Sequence, residues 1–128
     1  MNPVVHFELP ASNMDRAKTF YEKVFGWDIV CGYENYYNII TAEIGDKGYM
    51  STAPGAINGA MQRRDDTIGG TRIIIQVENL DEAVKKATDE GGRVFIPKKR
   101  TPHLIYSVIF DTEGNELNLV EKIMDANS

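Results

Sequence analysis

The chain is poor in several residue types and patterns whose scarcity limits its function. It has one cysteine in 128 residues, so no disulfide can form within it. No stretch approaches the ~20 consecutive apolar residues that a membrane-spanning helix needs. The chain has 14 Lys and Arg and 19 Asp and Glu. This excess of acidic residues argues against binding to nucleic acid, because contact with its backbone requires cations to neutralise the phosphates. No secretion leader is recognised, so we expect a cytoplasmic protein that binds neither nucleic acid nor membranes.

Residues 4–27 change from a strand pattern to a helix pattern. The apolar strand positions are Val5, Phe7 and Leu9, and the polar ones between them are His6 and Glu8. This alternation is typical of a strand with one buried face. After Pro10, apolar residues follow at helical spacing as far as Phe25, with Ser12 or Asn13 available as the N-cap and Gly26 as the C-terminal residue.

The same unit returns in the second half of the chain. Asn13-Met14-Asp15-x-Ala17 is echoed by Asn79-Leu80-Asp81-x-Ala83, and Gly26 is echoed by Gly92. Such a repeat indicates one supersecondary unit used twice, because a single copy cannot bury its own apolar face. We predict a single domain of residues 1–128, with module 1 at about 1–62, a charged and flexible linker at 63–70 and module 2 at about 71–124.

Strands are expected at 27–33, 36–44, 57–62, 71–77, 93–96, 104–110 and 116–121, and the second helix at 81–90. Pro97 is expected to end the strand before it, and Gly114 to supply a positive φ in the turn at 111–115. A loop is expected at 46–48, a frayed tail from Lys122, and a buried side chain at Cys31. Each module therefore contains one strand, one helix and three strands.

The first strand of each module has two unlike faces. The helix-side residues are Val5, Phe7 and Leu9 in module 1, and Ile73, Ile75 and Val77 in module 2. The opposite face carries His6 and Glu8 in module 1 and Arg72 and Gln76 in module 2. A mixed face of this kind either meets bulk water or lines a concave site, and composition alone does not separate the two.

The sequence resembles the vicinal oxygen chelate superfamily, which groups glyoxalase I, bleomycin-resistance proteins and extradiol dioxygenases. The features shared with it are His6 on a first strand, Asp-x-Ala-x-x-Phe-Tyr at 15–21, Phe25-Gly26, the second Asn-Leu-Asp-x-Ala run, and the Asp-x-x-Gly-Asn turn before Leu117-Asn118-Leu119-Val120-Glu121. The resemblance covers residues 4–122. It implies an α+β fold of paired βαβββ modules in a cup-shaped, mostly antiparallel eight-stranded sheet with helices on its outer face. It also implies a homodimer and a small molecule held in the cup.

Metal-dependent members of that superfamily take ligands, usually His, Gln or Glu, from the first and last strands of each module. Of the four corresponding positions here, His6 alone keeps a ligand residue. Arg72 is a permanent cation that would repel a metal, and the other two positions hold Asn118 and, on the fourth strand, Ala60. We therefore expect no bound metal. A site for Zn, Ni, Fe or Mn would need substitute ligands, for which Glu8, Gln62 and Glu121 are the candidates.

Three interpretations of function follow. In the first, His6, Arg72, Gln76 and Asn118 bind a small organic, anionic or neutral molecule, with Arg72 either gripping a carboxylate or phosphate or pairing with Glu8. In the second, the protein is a lyase, isomerase or dioxygenase that recruits a metal through His6, or transfers protons through His6 and Glu8 without one. In the third, it is a structural dimer whose cup is filled by its own side chains. Aromatic residues such as Tyr36 and Tyr37 are expected in the core or the dimer interface.

Overall fold

Strand, helix and three strands follow one another twice along the chain, as the sequence predicts. The computed structural model describes residues 1–44 and 53–123. The chain divides into two compact units. The first is Val5–Thr71, and the second consists of Met1–Val4 together with the chain from Arg72 onward. The protein is thus an α+β fold of two βαβββ modules. In the two described ranges, neither helix has the length and apolarity to cross a bilayer.

The first unit is a four-stranded sheet with one helix. Its elements are β1 (Val4–Ala11), α1 (Met14–Phe25), β2 (Asp28–Tyr33), β3 (Tyr36–Ile40) and β4 (Gly59–Arg63). The strand order is β2-β3-β4-β1, with β1 parallel to β4 and the other pairs antiparallel. Its core contains Ala11, Met14, Ile29, Ile39 and Met61, with Phe7, Leu9, Ala17 and Tyr21 packed against them. Phe7 and Leu9 therefore face the helix, as their alternation predicts.

The ends of α1 follow the predicted capping rules. The Asn13 side chain accepts a hydrogen bond from the Arg16 amide at 2.9 Å. Gly26 has φ 69°, and its amide donates to the Glu22 carbonyl at 3.0 Å. A positive φ is cheap for glycine because glycine has no Cβ, so the helix stops there.

Strand β3 is shorter than predicted. It ends at Ile40 because the next two amides, of Thr41 and Ala42, donate to the Asn58 side chain at 2.7 and 2.9 Å instead of to a neighbouring strand. The predicted loop at 46–48 lies outside the described residues. Cys31 is exposed, which corrects the prediction of a buried thiol, because its side chain lines an open cleft beside the start of α1.

The second unit repeats the architecture. Its elements are β5 (Arg72–Gln76), α2 (Leu80–Asp89), β6 (Arg93–Arg100), β7 (Leu104–Phe110) and β8 (Glu116–Lys122), in the sheet order β5-β8-β7-β6. Val77, Leu80, Ile109 and Leu119 form its core, with Ile75, Ala83 and Ile105 among the residues packed against them. Asn79 caps α2 through the Glu82 amide at 3.0 Å, and Gly114 has the expected positive φ of 83°. The predicted frayed tail lies largely outside the described residues.

Three further predictions need correction. Pro97 does not end its strand, because β6 lies at the sheet edge and is irregular between Ile96 and Lys99, where a missing amide costs little. Ile73 is 38% exposed although its alternation matches that of Ile75. The predicted flexible linker contains a tight turn, in which Asp65 accepts hydrogen bonds from the amide and hydroxyl of Thr67, and Ile68 is fully buried.

Candidate functional site

The helix-free face of the first unit carries polar side chains from three adjacent strands. Glu8 on β1 pairs with Ala60 on β4, which pairs with Asn38 on β3. Residues two apart on a strand share a face. The set defined by this register is called here the first polar face and consists of His6, Glu8, Tyr36, Asn38, Ala60 and Gln62.

The burial of Glu8 indicates whether the first polar face simply meets bulk water. Its side chain is on the face without a helix, yet the residue is only 8% exposed. A carboxylate is seldom buried to this extent without specific interactions, and Glu8 does make interactions with other residues. The first polar face is therefore not a simple solvated surface at this position.

Tyr36 belongs to the same face, although the sequence favoured a core or interface position for it. Burial raises the pKa of the Tyr36 phenol well above its usual value, and the charge of Glu8 and the neighbouring Tyr33 act in the same direction. The phenol therefore keeps its proton at neutral pH and is a hydrogen-bond donor. The signal in the sequence was the alternation that places Tyr36 and Asn38 on one side of β3.

His6 is the second unusual group on this face. Burial lowers the pKa of its imidazole, so the ring is neutral near pH 7. Its Nδ1 atom is buried and has no hydrogen-bond partner among the described residues. Most buried polar atoms are paired, so an unpaired ring nitrogen is a place where a ligand atom can supply a missing bond. A neutral imidazole offers one donor and one acceptor.

The lowered pKa of His6 predicts that stability falls in mild acid. The unfolded chain takes up the proton near the ordinary pKa of 6.5, whereas the folded chain resists it. The contribution is therefore fully present above about pH 6.5 and is lost as the pH falls toward the folded pKa. Urea unfolding between about pH 7.5 and 5.5 should show a smaller loss of stability in His6→Gln than in the wild type. His103→Gln, which alters the exposed second histidine, should retain the wild-type slope, and an equal slope in all three proteins would contradict the assignment.

The helix-free face of the second unit carries a buried ion pair. Glu116 Oε2 accepts hydrogen bonds from Arg72 Nε at 3.2 Å and from Nη2 at 3.0 Å. The two side chains are 4% and 10% exposed. The sequence offered Glu8 or a ligand as the partner of Arg72, and it missed Glu116. The signal was available in the alternation of β8, where Glu116 and Asn118 share a face.

Gln76 and Asn118 lie on this same face. Ile74 pairs with Asn118, and Gln76 with Val120 one step further along the two parallel strands. Asn118 is 8% exposed and Gln76 is half-buried. We call Arg72, Gln76, Glu116 and Asn118 the second polar face. The second polar face thus contains three of the four residues predicted to bind a ligand, and Glu116 adds a carboxylate to them.

The donor residues do not fit the divalent metal that the metal-dependent members hold. Across residues 1–44 and 53–123, no group of three or more His, Cys, Asp or Glu side chains is placed to hold a metal ion. Glu121, a suggested substitute ligand, accepts a hydrogen bond from the Leu80 amide at 2.7 Å and so serves the start of α2. His6 remains the one strong donor at the superfamily's ligand positions, and one imidazole is a poor site for a divalent cation.

Comparison with known proteins agrees with the fold described above. The family model described as Glyoxalase/Bleomycin resistance protein/Dioxygenase superfamily matches residues 4–119. Among solved structures, the chain is similar to a hypothetical protein from Bacillus halodurans C-125, with 11% identity, coverage of 99% of each chain and a TM-score of 0.65.

Two methylmalonyl-CoA epimerases are also similar in structure. The one from Mycobacterium tuberculosis has 15% identity and a TM-score of 0.61, with 94% of this chain and 88% of that chain covered. The one from Streptomyces coelicolor, a variant in complex with 2-nitronate-propionyl-CoA, has 17% identity, 94% coverage of both chains and a TM-score of 0.62. No curated protein matches the sequence. At these identities, the structural likeness shows the fold alone.

Proposed function

The chain belongs to the Glyoxalase/Bleomycin resistance protein/Dioxygenase superfamily, and we propose that it binds a small organic molecule on its polar faces without the usual divalent metal set. The observation that carries this proposal is the burial of charged and amide side chains on the face of each unit that lies opposite the helix of that unit. Glu8, Arg72 and Asn118 are 8%, 4% and 8% exposed. Ligand sites typically contain a few placed polar groups, and the two faces supply groups of this kind.

The polar groups have complementary roles in this proposal. The protonated Tyr36 phenol donates to a ligand oxygen, and the neutral His6 ring donates or accepts through Nδ1. Asn118 and Gln76 add amide hydrogen bonds, and Arg72 adds a charge-assisted one. Glu116 offsets the charge of Arg72, so the second polar face carries little net positive charge at this position. The ligand is therefore an oxygen-rich molecule, either anionic or neutral, that does not need a strongly positive site. We further propose that the protein is a homodimer, as the resemblance to the superfamily implies, and that it is cytoplasmic, as its single cysteine suggests.

A thermal-melting screen of small carboxylic acids and their matched amides tests the binding proposal. A molecule that binds only the folded chain raises the melting temperature by mass action. At a ligand concentration of about a hundred times Kd, the free energy of unfolding rises by about 2.7 kcal/mol. We expect His6→Ala and Tyr36→Phe each to weaken binding by about tenfold, because each removes one ligand hydrogen bond. His103→Ala, in an exposed loop, should bind as the wild type does. Equal stabilisation of all four proteins, or none by any compound, would count against the proposal.

A second candidate is an enzyme that uses His6, and the unpaired Nδ1 is the observation that favours it. In one form, His6 and Glu8, which share a face, move a proton without a metal. In the other, His6 recruits a metal with non-standard ligands for lyase, isomerase or dioxygenase chemistry. Elemental analysis, with melting under divalent cations and chelator, separates the two forms. Near-stoichiometric metal, or cation stabilisation that His6→Ala abolishes, would support the metal-dependent form and overturn the metal-free one.

A further inference from the structure

A concave site lies on the helix-bearing side of the first unit, opposite the first polar face. It is a cleft of about 590 Å³ between the start of α1 and the turn that joins β2 to β3. The residues that matter here are Asp15, Cys31, Tyr33, Glu34, Tyr37 and Arg63. Cys31 pairs with Tyr37, whereas Val30 pairs with Asn38 of the first polar face, so the cleft and that face are on opposite sides of the sheet. The volume is in the range of small-molecule sites.

The cleft presents two carboxylates and one guanidinium. The Tyr37 hydroxyl donates to Asp15 at 3.1 Å. The hydrogen bonds of Tyr37 with Asp15 and with Cys31 raise the pKa of this phenol to about 12, so Tyr37 is neutral at pH 7. Glu34 and Arg63 have no hydrogen-bond or ion-pair partner for their side chains within residues 1–44 and 53–123. Opposite charges that line one cleft without pairing there suit a ligand that carries both signs.

The Tyr33 ring does not add an aromatic wall to this cleft, because it stacks on Tyr36 of the first polar face with the centroids 4.9 Å apart. The start of α1 offers the cleft few free amides, because Asn13 already caps it.

We propose that this cleft binds a small zwitterion of amino-acid or dipeptide size. Arg63 pairs with the ligand carboxylate, and Asp15 and Glu34 pair with its ammonium group. The site is independent of the polar faces, so it stands whether or not those faces bind a ligand.

The single cysteine of the chain reports directly on this cleft, because Cys31 lines it and is exposed. Alkylation of Cys31 by iodoacetamide is followed by intact-mass spectrometry, with glycyl-tyrosine, its N-acetyl derivative and its amide as probes. We expect glycyl-tyrosine to slow alkylation about tenfold at saturation, with a Kd in the millimolar range. The acetylated form lacks the ammonium group and the amide lacks the carboxylate, and each should bind about fivefold more weakly.

Two charge variants and a control complete the experiment. Arg63→Gln should bind glycyl-tyrosine and its amide equally. Glu34→Gln should show a smaller difference in affinity between glycyl-tyrosine and its N-acetyl derivative than the wild type does. Lys23→Gln removes one positive charge from the last turn of α1, away from the cleft, and should behave as the wild type. The proposal is overturned by an absence of protection at about 10 mM dipeptide, by equal protection from all three probes, or by a preference that persists in Arg63→Gln. Binding detected by calorimetry without protection of Cys31 would place the ligand elsewhere and overturn it as well.

Discussion

Glu116→Gln should destabilise the protein by about 3 kcal/mol, although the substitution changes almost no volume. It removes the carboxylate that accepts two hydrogen bonds from Arg72 and leaves the guanidinium with 4% exposure. Breaking a buried ion pair from one side costs about 3–5 kcal/mol, because the remaining charge is neither hydrated nor paired. Arg72 has further interactions, so we expect the lower end of that range. Urea unfolding at neutral pH measures the free energy of unfolding.

An exposed ion pair provides the matched control. Lys85 and Asp89 approach to 2.7 Å, which is closer than Arg72 and Glu116, but their side chains are 76% and 59% exposed. Asp89→Asn should therefore cost less than about 0.5 kcal/mol, because water screens and replaces the lost contact. The double variant Arg72→Met with Glu116→Leu should regain most of the loss, since it removes both buried charges. If Glu116→Gln and Asp89→Asn cost the same, the Arg72 charge is not buried as the structure describes it.

The local structure of this chain was predictable because its signals are local. Asn13, Asn79, Gly26 and Gly114 act within a few residues of their own positions, through a cap or a positive φ. The two glycines were assigned as the structure has them, Asn13 was one of the two residues offered as the cap of α1, and Asn79 is the residue that echoes it. The helix-side residues Phe7 and Leu9 followed from alternation alone. The same pattern of strand, N-cap, helix and glycine occurs twice in the sequence and indicated two βαβββ modules.

The side-chain partners were not predictable, because they depend on how distant strands align. Arg72 meets Glu116 only because β5 runs parallel to β8 in a register that pairs Ile74 with Asn118. Pro97 was misjudged since a proline ends a central strand but is tolerated on an edge, and its place in the sheet is not written in the nearby sequence. The face of the sheet on which a residue lies was therefore easier to predict than its hydrogen-bond partner.

Asn58→Ala should cost about 2–3 kcal/mol, the second large effect expected from a single polar side chain. Asn58 is fully buried immediately before β4, and its Oδ1 accepts from the amides of Thr41 and Ala42 while its Nδ2 donates to the Ala42 carbonyl at 3.2 Å. Alanine leaves these backbone groups without their partner and creates a cavity.

Asn58 also fixes the start of the strand that supports the first polar face. Gly59, the next residue, pairs with Phe7 beside His6, so loosening Asn58 should weaken ligand binding at His6 as well as stability. Asn115→Ala is the matched control, because Asn115 is exposed and its Nδ2 donates to Asp111 at 2.8 Å, and it should cost less than about 1 kcal/mol. Urea unfolding measures the free energy of unfolding of both variants, and ligand binding is measured on each variant that remains folded. If the two substitutions lower the free energy of unfolding equally, Asn58 does not organise the end of β3.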